Sequence, residues 1–191
     1  MADELHSLQT YVSDTLALER HVRIPFDTQA GDEDFERYGN AAPLVQRMVA
    51  TSRTHIDALA DCLTRLGGHE ASPAKDTVSQ IEGFFAGAID KMRKTKVSKA
   101  LRDDYTALAL CTAAYTMLQT TATAMDDLTV ADLAQKHLED YAALVMEIGT
   151  VLPEIVIDEL KDIGLSVDGT MAGAAQRAAQ RAWRTGAVRE S

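Results

Sequence analysis

The sequence predicts an all-α protein: a four-helix bundle with an extra short helix between the second and third long helices, and a basic C-terminal extension. Three observations lead there. Apolar residues recur at three- and four-residue intervals through four stretches of roughly 20 to 26 residues, the period of a helix that buries one face. Aromatics make up only 5% of the 191 residues while Ala and Leu are abundant, which suits helices better than strands. With 4 Pro and 11 Gly, the chain is also poor in the turn residues that a series of short strands needs. No period of 20 to 50 residues recurs, which argues against a repeat solenoid.

The first helical pattern runs from about residue 3 to 24 through Leu5, Leu8, Val12, Thr15, Leu16, Glu19 and Val22, and Pro25 is expected to stop it. The polar, acidic stretch 27–34 reads as a loop. A second pattern opens after Asn40 with Pro43 in its first turn and ends at Gly67-Gly68; its stripe is Leu44, Met48, Ser52, His55, Leu59, Cys62 and Leu66. Ser72-Pro73 then looks like the start of a shorter helix carrying Val78, Ile81, Phe85, Ile89 and Met92 on one side, with lysines and Arg93 at its C-terminal end. The third long pattern spans about 99 to 125 through Leu101, Leu108, Cys111, Tyr115, Leu118, Ala122 and Met125. After a break at 126–129, where Asp127 or Thr129 can cap, the fourth includes Leu133, His137, Asp140, Tyr141, Leu144, Ile148 and Leu152. Pro153 is expected to kink or end it, although the pattern persists to Leu160. Residues 1–164 thus form the bundle, and 165–191 a tail that is not a separate domain.

Composition narrows the function. The formal net charge of −10 repels phosphates and argues against nucleic-acid binding. No run of 18 apolar residues exists to span a membrane. The acidic start Met1-Ala2-Asp3-Glu4 is unlike a secretory signal, so a cytoplasmic location is expected. Cys62 and Cys111, far apart and on buried stripes, read as small core hydrophobes, and the acidic run 32–36 lacks the ligand alternation of a calcium loop. No P-loop, dinucleotide fingerprint or nucleophile elbow is present, so no catalytic residue is assigned. The tail differs: residues 169–191 carry a charge of +3, leaving −13 for the rest. Arg177, Arg181 and Arg184 share a face among alanines with Trp183 nearby, as in a terminal helix docked on an acidic bundle, its own or a neighbour's.

An apolar stripe becomes informative where a group that is costly to bury interrupts it. Glu19, His55, His137 and Asp140 do this on three helices, and all four are expected to point into one interior. Carboxylates and imidazoles converging in this way hold iron, manganese or zinc in helical bundles, which makes the four candidate ligands for iron or another divalent metal. Each also has a structural reading, Glu19 as the partner of an arginine and either histidine as a hydrogen-bonded core residue.

Over residues 3 to 160 the order of elements resembles the ferritin-like superfamily, and within it the bacterial YciE/YciF-type stress-associated proteins. The cues are Glu19 on the first helix, Leu63-Thr64-Arg65-Leu66-Gly67 closing the second, the insertion after Ser72-Pro73, Leu101-Arg102-Asp103-Asp104-Tyr105 opening the third and Leu138-Glu139-Asp140 on the fourth. The resemblance implies a di-metal site with a Glu on each of two helices and Glu-x-x-His on each of the other two. Glu19 and His55 fit that scheme, but Ser52 stands where the second-helix Glu belongs. No carboxylate lies between Tyr105 and Met125, and Ala142 and Ala143 follow at the spacing where the fourth helix needs its His.

The expected function is therefore that of a ferritin-like bundle with a degenerate di-metal site, acting as a non-enzymatic stress-associated or interaction protein. Two alternatives stand beside it. One is a ferroxidase-type metal protein using the reduced set Glu19, His55, His137 and Asp140. The other is a bundle holding an apolar small molecule in the former metal cavity, lined by Met48, Leu108, Tyr115 and Leu144. The resemblance also implies a homo-oligomer, with a dimer as the simplest form.

Overall fold

A computed structural model describes residues 2–68 and 96–187. Among these residues there are helices and turns and no strand: α1 (Ala2–Gln29), α2 (Glu33–Glu36), α3 (Ala41–Arg65), α4 (Val97–Ala124), α5 (Leu128–Asp162) and α6 (Met171–Ala187). The short helix expected after Ser72-Pro73 lies outside the described residues. None of the described helices is long and apolar enough to cross a membrane.

Contacts between side chains fix how the four long helices run. Gln9 reaches the Leu66 carbonyl while Glu19 meets Ser52 and His55, so α1 and α3 are antiparallel. Glu19 with Tyr115 and Gln29 with Asp104 make α1 and α4 antiparallel as well. Asn40 with Glu154, Arg47 with Glu147 and His55 with Asp140 set α3 against α5 in the same sense. It follows that α3 and α4 point the same way. By contrast α4 and α5 are joined by the tight turn 125–127, in which Asp126 takes a positive φ of 55° and Asp127 accepts from the Val130 N–H (3.0 Å) to cap α5. At the end of α3, Gly67 adopts φ 72° and the Gly68 N–H returns to the Leu63 carbonyl, the left-handed helix stop anticipated at this pair.

The buried faces are the expected stripes. Leu8, Val12, Leu16 and Val22 of α1 meet Leu44, Met48 and Leu59 of α3, Leu101, Leu108 and Leu118 of α4, and Leu144 and Ile148 of α5 in one core. Leu5 departs from the expectation: it lies in the first turn of α1 and is exposed. Cys62 and Cys111 are buried free thiols; burial pushes both up, Cys111 well above the ordinary thiol range.

Neither proline ends its helix, and one reason covers both. Proline in a helix interior costs on the order of 3 kcal/mol, yet α1 continues through Pro25 to Gln29 and α5 through Pro153 to Asp162. Beyond Pro25 lie Phe26 and Gln29, both buried, and beyond Pro153 lie Ile155 and Glu159, also buried. Tertiary burial outweighs the lost backbone bond. The stretch 27–34 is correspondingly not all loop, since 27–29 are helical and Asp32 caps the single turn α2 by accepting from the Asp34 N–H.

Past Pro25, Gln29 Nε2 donates to Asp104 Oδ1 (2.9 Å), joining α1 to α4 inside the protein. Among the described residues, neither Gln29 Oε1 nor Asp104 Oδ2 has a hydrogen-bond partner. Burial pushes the Asp104 carboxyl up to about 8, against the lowering effect of Gln29 and with a small push from Asp103, so it is protonated at neutral pH. A proton on Oδ2 turns one of the two orphaned acceptors into a donor. The unfolded chain has the ordinary carboxyl value of 3.8. Between about pH 4 and about pH 8 the folded state thus holds a proton that the unfolded state has lost, and raising the pH through that window costs up to about 1.4 kcal/mol per unit. Asp104→Asn, which keeps a donor at that oxygen, is expected to flatten this slope in urea denaturation and to preserve or raise stability near the top of the window. An unchanged slope would assign it to another group.

Candidate functional site

The interior of the four long helices is organised around Glu19. Its carboxylate is 0% exposed and accepts at four places, which is the full capacity of the group. Tyr115 donates to Oε1 (2.5 Å) and His55 Nδ1 lies 3.1 Å from the same oxygen. Ser52 donates to Oε2 (3.1 Å), and Tyr141 donates to that oxygen through a very short bond. These donors come from α3, α4 and α5, so one side chain of α1 ties all four helices together. An unsatisfied buried carboxylate costs several kcal/mol, and only a complete donor set offsets that.

The histidines play unequal parts. His55 Nδ1 faces Glu19 and its Nε2 lies 3.3 Å from Asp140 Oδ2. Carboxylates accept and do not donate, so filling both contacts takes a proton on each nitrogen. His137 stacks on it, with ring centroids 3.8 Å apart and planes 13° from parallel. Burial pushes His137 down to about 3, helped by the charge of His55 and then by Lys136, so it stays neutral. Because Tyr115 spends its proton on Glu19, the 3.2 Å contact between Tyr115 and His137 Nδ1 is made by an Nδ1–H, leaving a lone pair on Nε2. Burial first, and then the charge of Glu19, pushes both tyrosine hydroxyls well above the ordinary range and keeps them donors.

The four expected ligand residues do gather, though not around an empty centre. Glu19 and His55 touch, His55 touches Asp140, and His137 joins through stacking and Tyr115. Asp140 is the exception to the expected interior position: its side chain is 46% exposed and meets the network from the rim. It neighbours the buried Tyr141, and one residue is about 100° around a helix. Among the described residues no group of three or more His, Cys, Asp or Glu side chains is disposed to hold a metal ion. Met48, Leu108, Tyr115 and Leu144 are all buried, and two surface cavities of about 290 and about 420 Å³ lie elsewhere. Sequence reasoning missed the role of Tyr141, whose place on the α5 stripe gave no hint that its hydroxyl reaches α1. It also missed Glu159, buried at the far end of the bundle, which accepts from the Ser98 N–H (2.9 Å) and hydroxyl (2.6 Å) and so caps α4.

Comparison of the chain with protein-family models, with curated proteins and with solved structures finds no match.

Glu19→Ala removes the acceptor shared by Ser52, His55, Tyr115 and Tyr141 and leaves those buried groups unanswered, and is expected to cost about 3–5 kcal/mol in chemical denaturation. Tyr141→Phe removes one bond to a charged group and should cost about 1.5–3 kcal/mol. Loss of less than half a kcal/mol in both would show that the network contributes nothing to stability.

His137 sets an acid limit. Its folded value of about 3 lies below the ordinary 6.5, so on acidification the unfolded chain takes up a proton that the folded one refuses. Stability is therefore expected to fall as the pH drops from about 6.5 towards 3, by up to about 1.4 kcal/mol per unit. His137→Gln should flatten that arm of the pH–stability curve.

Proposed function

We propose that this chain is a ferritin-like helical bundle, akin to the YciE/YciF-type stress-associated proteins, whose di-metal site has given way to a hydrogen-bonded network. In this reading it acts as a non-enzymatic stress-associated or interaction protein. The observation that carries it is the complete occupation of Glu19 by Ser52, His55, Tyr115 and Tyr141. A di-metal centre needs lone pairs converging on cations. Here protons converge on one anion. At Ser52, where the superfamily scheme calls for a carboxylate, and at Tyr115, in the third-helix stretch that holds none, this chain presents hydroxyl donors; Tyr141 adds a third beside the place of the fourth-helix His. The helix order also supports the reading, with two antiparallel hairpins, α1–α3 and α4–α5, set so that α3 and α4 run parallel.

A reduced metal site is the second reading, favoured by the free lone pair on His137 Nε2 and by the half-exposed Asp140 carboxylate on the same His55 ring. Metal analysis of protein purified without chelator separates the two. The first reading expects well under one metal ion per chain and no acceleration of ferrous iron oxidation over buffer. Close to two irons per chain would overturn it. One ion per chain that is lost in His137→Ala would favour the second.

A further inference from the structure

The C-terminal helix α6 lies along α5: Ala172 is buried, and Gln176 Nε2 donates to the Thr150 carbonyl (2.6 Å) and to Glu154 Oε1 (3.1 Å). Seven residues beyond Gln176, and so on the same face of α6, Trp183 forms one wall of a groove on the outside of α4 and α5. The groove has a volume of about 420 Å³, in the range of small-molecule sites. Its α4 lining runs from Tyr105 to Thr116, about 16 Å of helix, which gives a mean section of about 25 Å². That is close to the girth of one extended hydrocarbon chain. The lining is mostly apolar. Ala109, Ala113 and Ala142 lie beside Leu138 and Met146, and the Thr112 and Thr116 hydroxyls are spent on the Ala109 and Thr112 carbonyls (2.7 and 2.8 Å). The Tyr105 hydroxyl and the Trp183 ring N–H are left, and both can donate. Met146 is 46% and Trp183 56% exposed, apolar surface that a ligand would cover. None of Met48, Leu108, Tyr115 and Leu144 lines the groove, so it is separate from the bundle interior.

We infer that this groove binds a single-chain amphiphile with an anionic head, a long-chain carboxylate, whose alkyl tail lies between α4, α5 and Trp183. Shape and lining select the tail. A linear chain fills a narrow apolar slot without an unmet hydrogen bond, whereas a polar solute would leave its own groups unanswered there. Charge selects the head. Between Met171 and Ala187, α6 carries Arg177, Arg181 and Arg184 and no acid. Arg184 directly follows Trp183, is exposed and pairs with no acid among the described residues. On the α5 side, Glu147 next to Met146 is ion-paired with Arg47, and Glu139 next to Leu138 accepts from Gln135 (2.7 Å). The negative charge of the whole bundle opposes an anion at long range, but within a Debye length, about 8 Å, the nearest cations decide. The two donors left in the lining suit the same head, because a carboxylate only accepts. A bilayer would need a broad apolar face, and one slot takes one chain. The inference is independent of the reading of the Glu19 network.

Trp183 is the only tryptophan in the chain, so its fluorescence reports the groove alone. The test is titration of the full chain with octanoate, decanoate, dodecanoate and hexadecanoate below their micelle concentrations, with calorimetry alongside. Trp183 emission should shift to shorter wavelength and saturate at one carboxylate per chain. Affinity should rise about two- to fourfold for each added CH2 and level off once the extended chain exceeds about 16 Å. Ala142→Leu narrows the groove at an exposed position where leucine suits a helix. It should weaken dodecanoate binding at least about tenfold, with unchanged circular dichroism. Arg184→Gln should weaken decanoate about two- to fivefold and leave 1-decanol unchanged. Failure to saturate, a missing chain-length plateau, or indifference to either variant overturns the inference. So does a shift of emission with protein concentration alone, which would put a second copy in the groove. Binding of anionic phospholipid vesicles without binding of dodecanoate overturns it as well.

Discussion

A carboxylate sealed from water must find donor partners for all of its charge within the protein, and in this chain that requirement falls on Glu19. Four donors from three other helices answer it, and in doing so they fix the depth, rotation and register of each helix relative to α1. Apolar packing alone would leave those variables loosely set, since a stripe of Leu and Ala tolerates sliding by a turn. A hydroxyl that must reach one oxygen within hydrogen-bonding distance does not. The hydrophobic core supplies most of the drive to fold, and the polar network selects which arrangement of helices results.

The interior keeps charge to the minimum that this requirement allows. Glu19 and His55 form the centre, while the groups around them are held neutral. The tyrosine hydroxyls stay protonated, His137 stays unprotonated beside His55, and Asp104 near the other end keeps its proton. His137 and Asp104 respond to pH with opposite sign. In the mildly acidic range they partly cancel, so the protein has a broad optimum instead of a sharp one.

Much of this was legible in the sequence, and what was not has identifiable causes. Helix extents followed from the period of buried residues, because the same faces are buried in the structure. Glu19, His55 and His137 stood out as polar breaks in apolar stripes, and all three are buried. Asp140 was read as interior because it adjoins the stripe residue Tyr141, and a linear spacing resolves helical faces poorly at one residue's distance. Asp104 was hidden as half of an acidic pair with Asp103, although its spacing from Leu101, Leu108 and Cys111 puts it on the buried face. Gln29 was lost behind Pro25, where a local helix penalty was taken to decide an outcome that tertiary burial reversed. Donor geometry is the harder case. That Tyr141 and Tyr115 end on the same carboxylate depends on how helices cross, which no single helix encodes.

The parallel course of α3 and α4 bears on the order in which the protein can assemble. The α1–α3 hairpin and the α4–α5 hairpin each consist of contacts close in sequence and can form early. The first hairpin contains Glu19 with only Ser52 and His55 to answer it; the two tyrosines belong to the second, about a hundred residues further along. Until the hairpins dock, the carboxylate is half satisfied and gains by remaining wet. Docking is thus the step at which its desolvation is compensated, and a half-built molecule has reason to stay open until the second hairpin arrives.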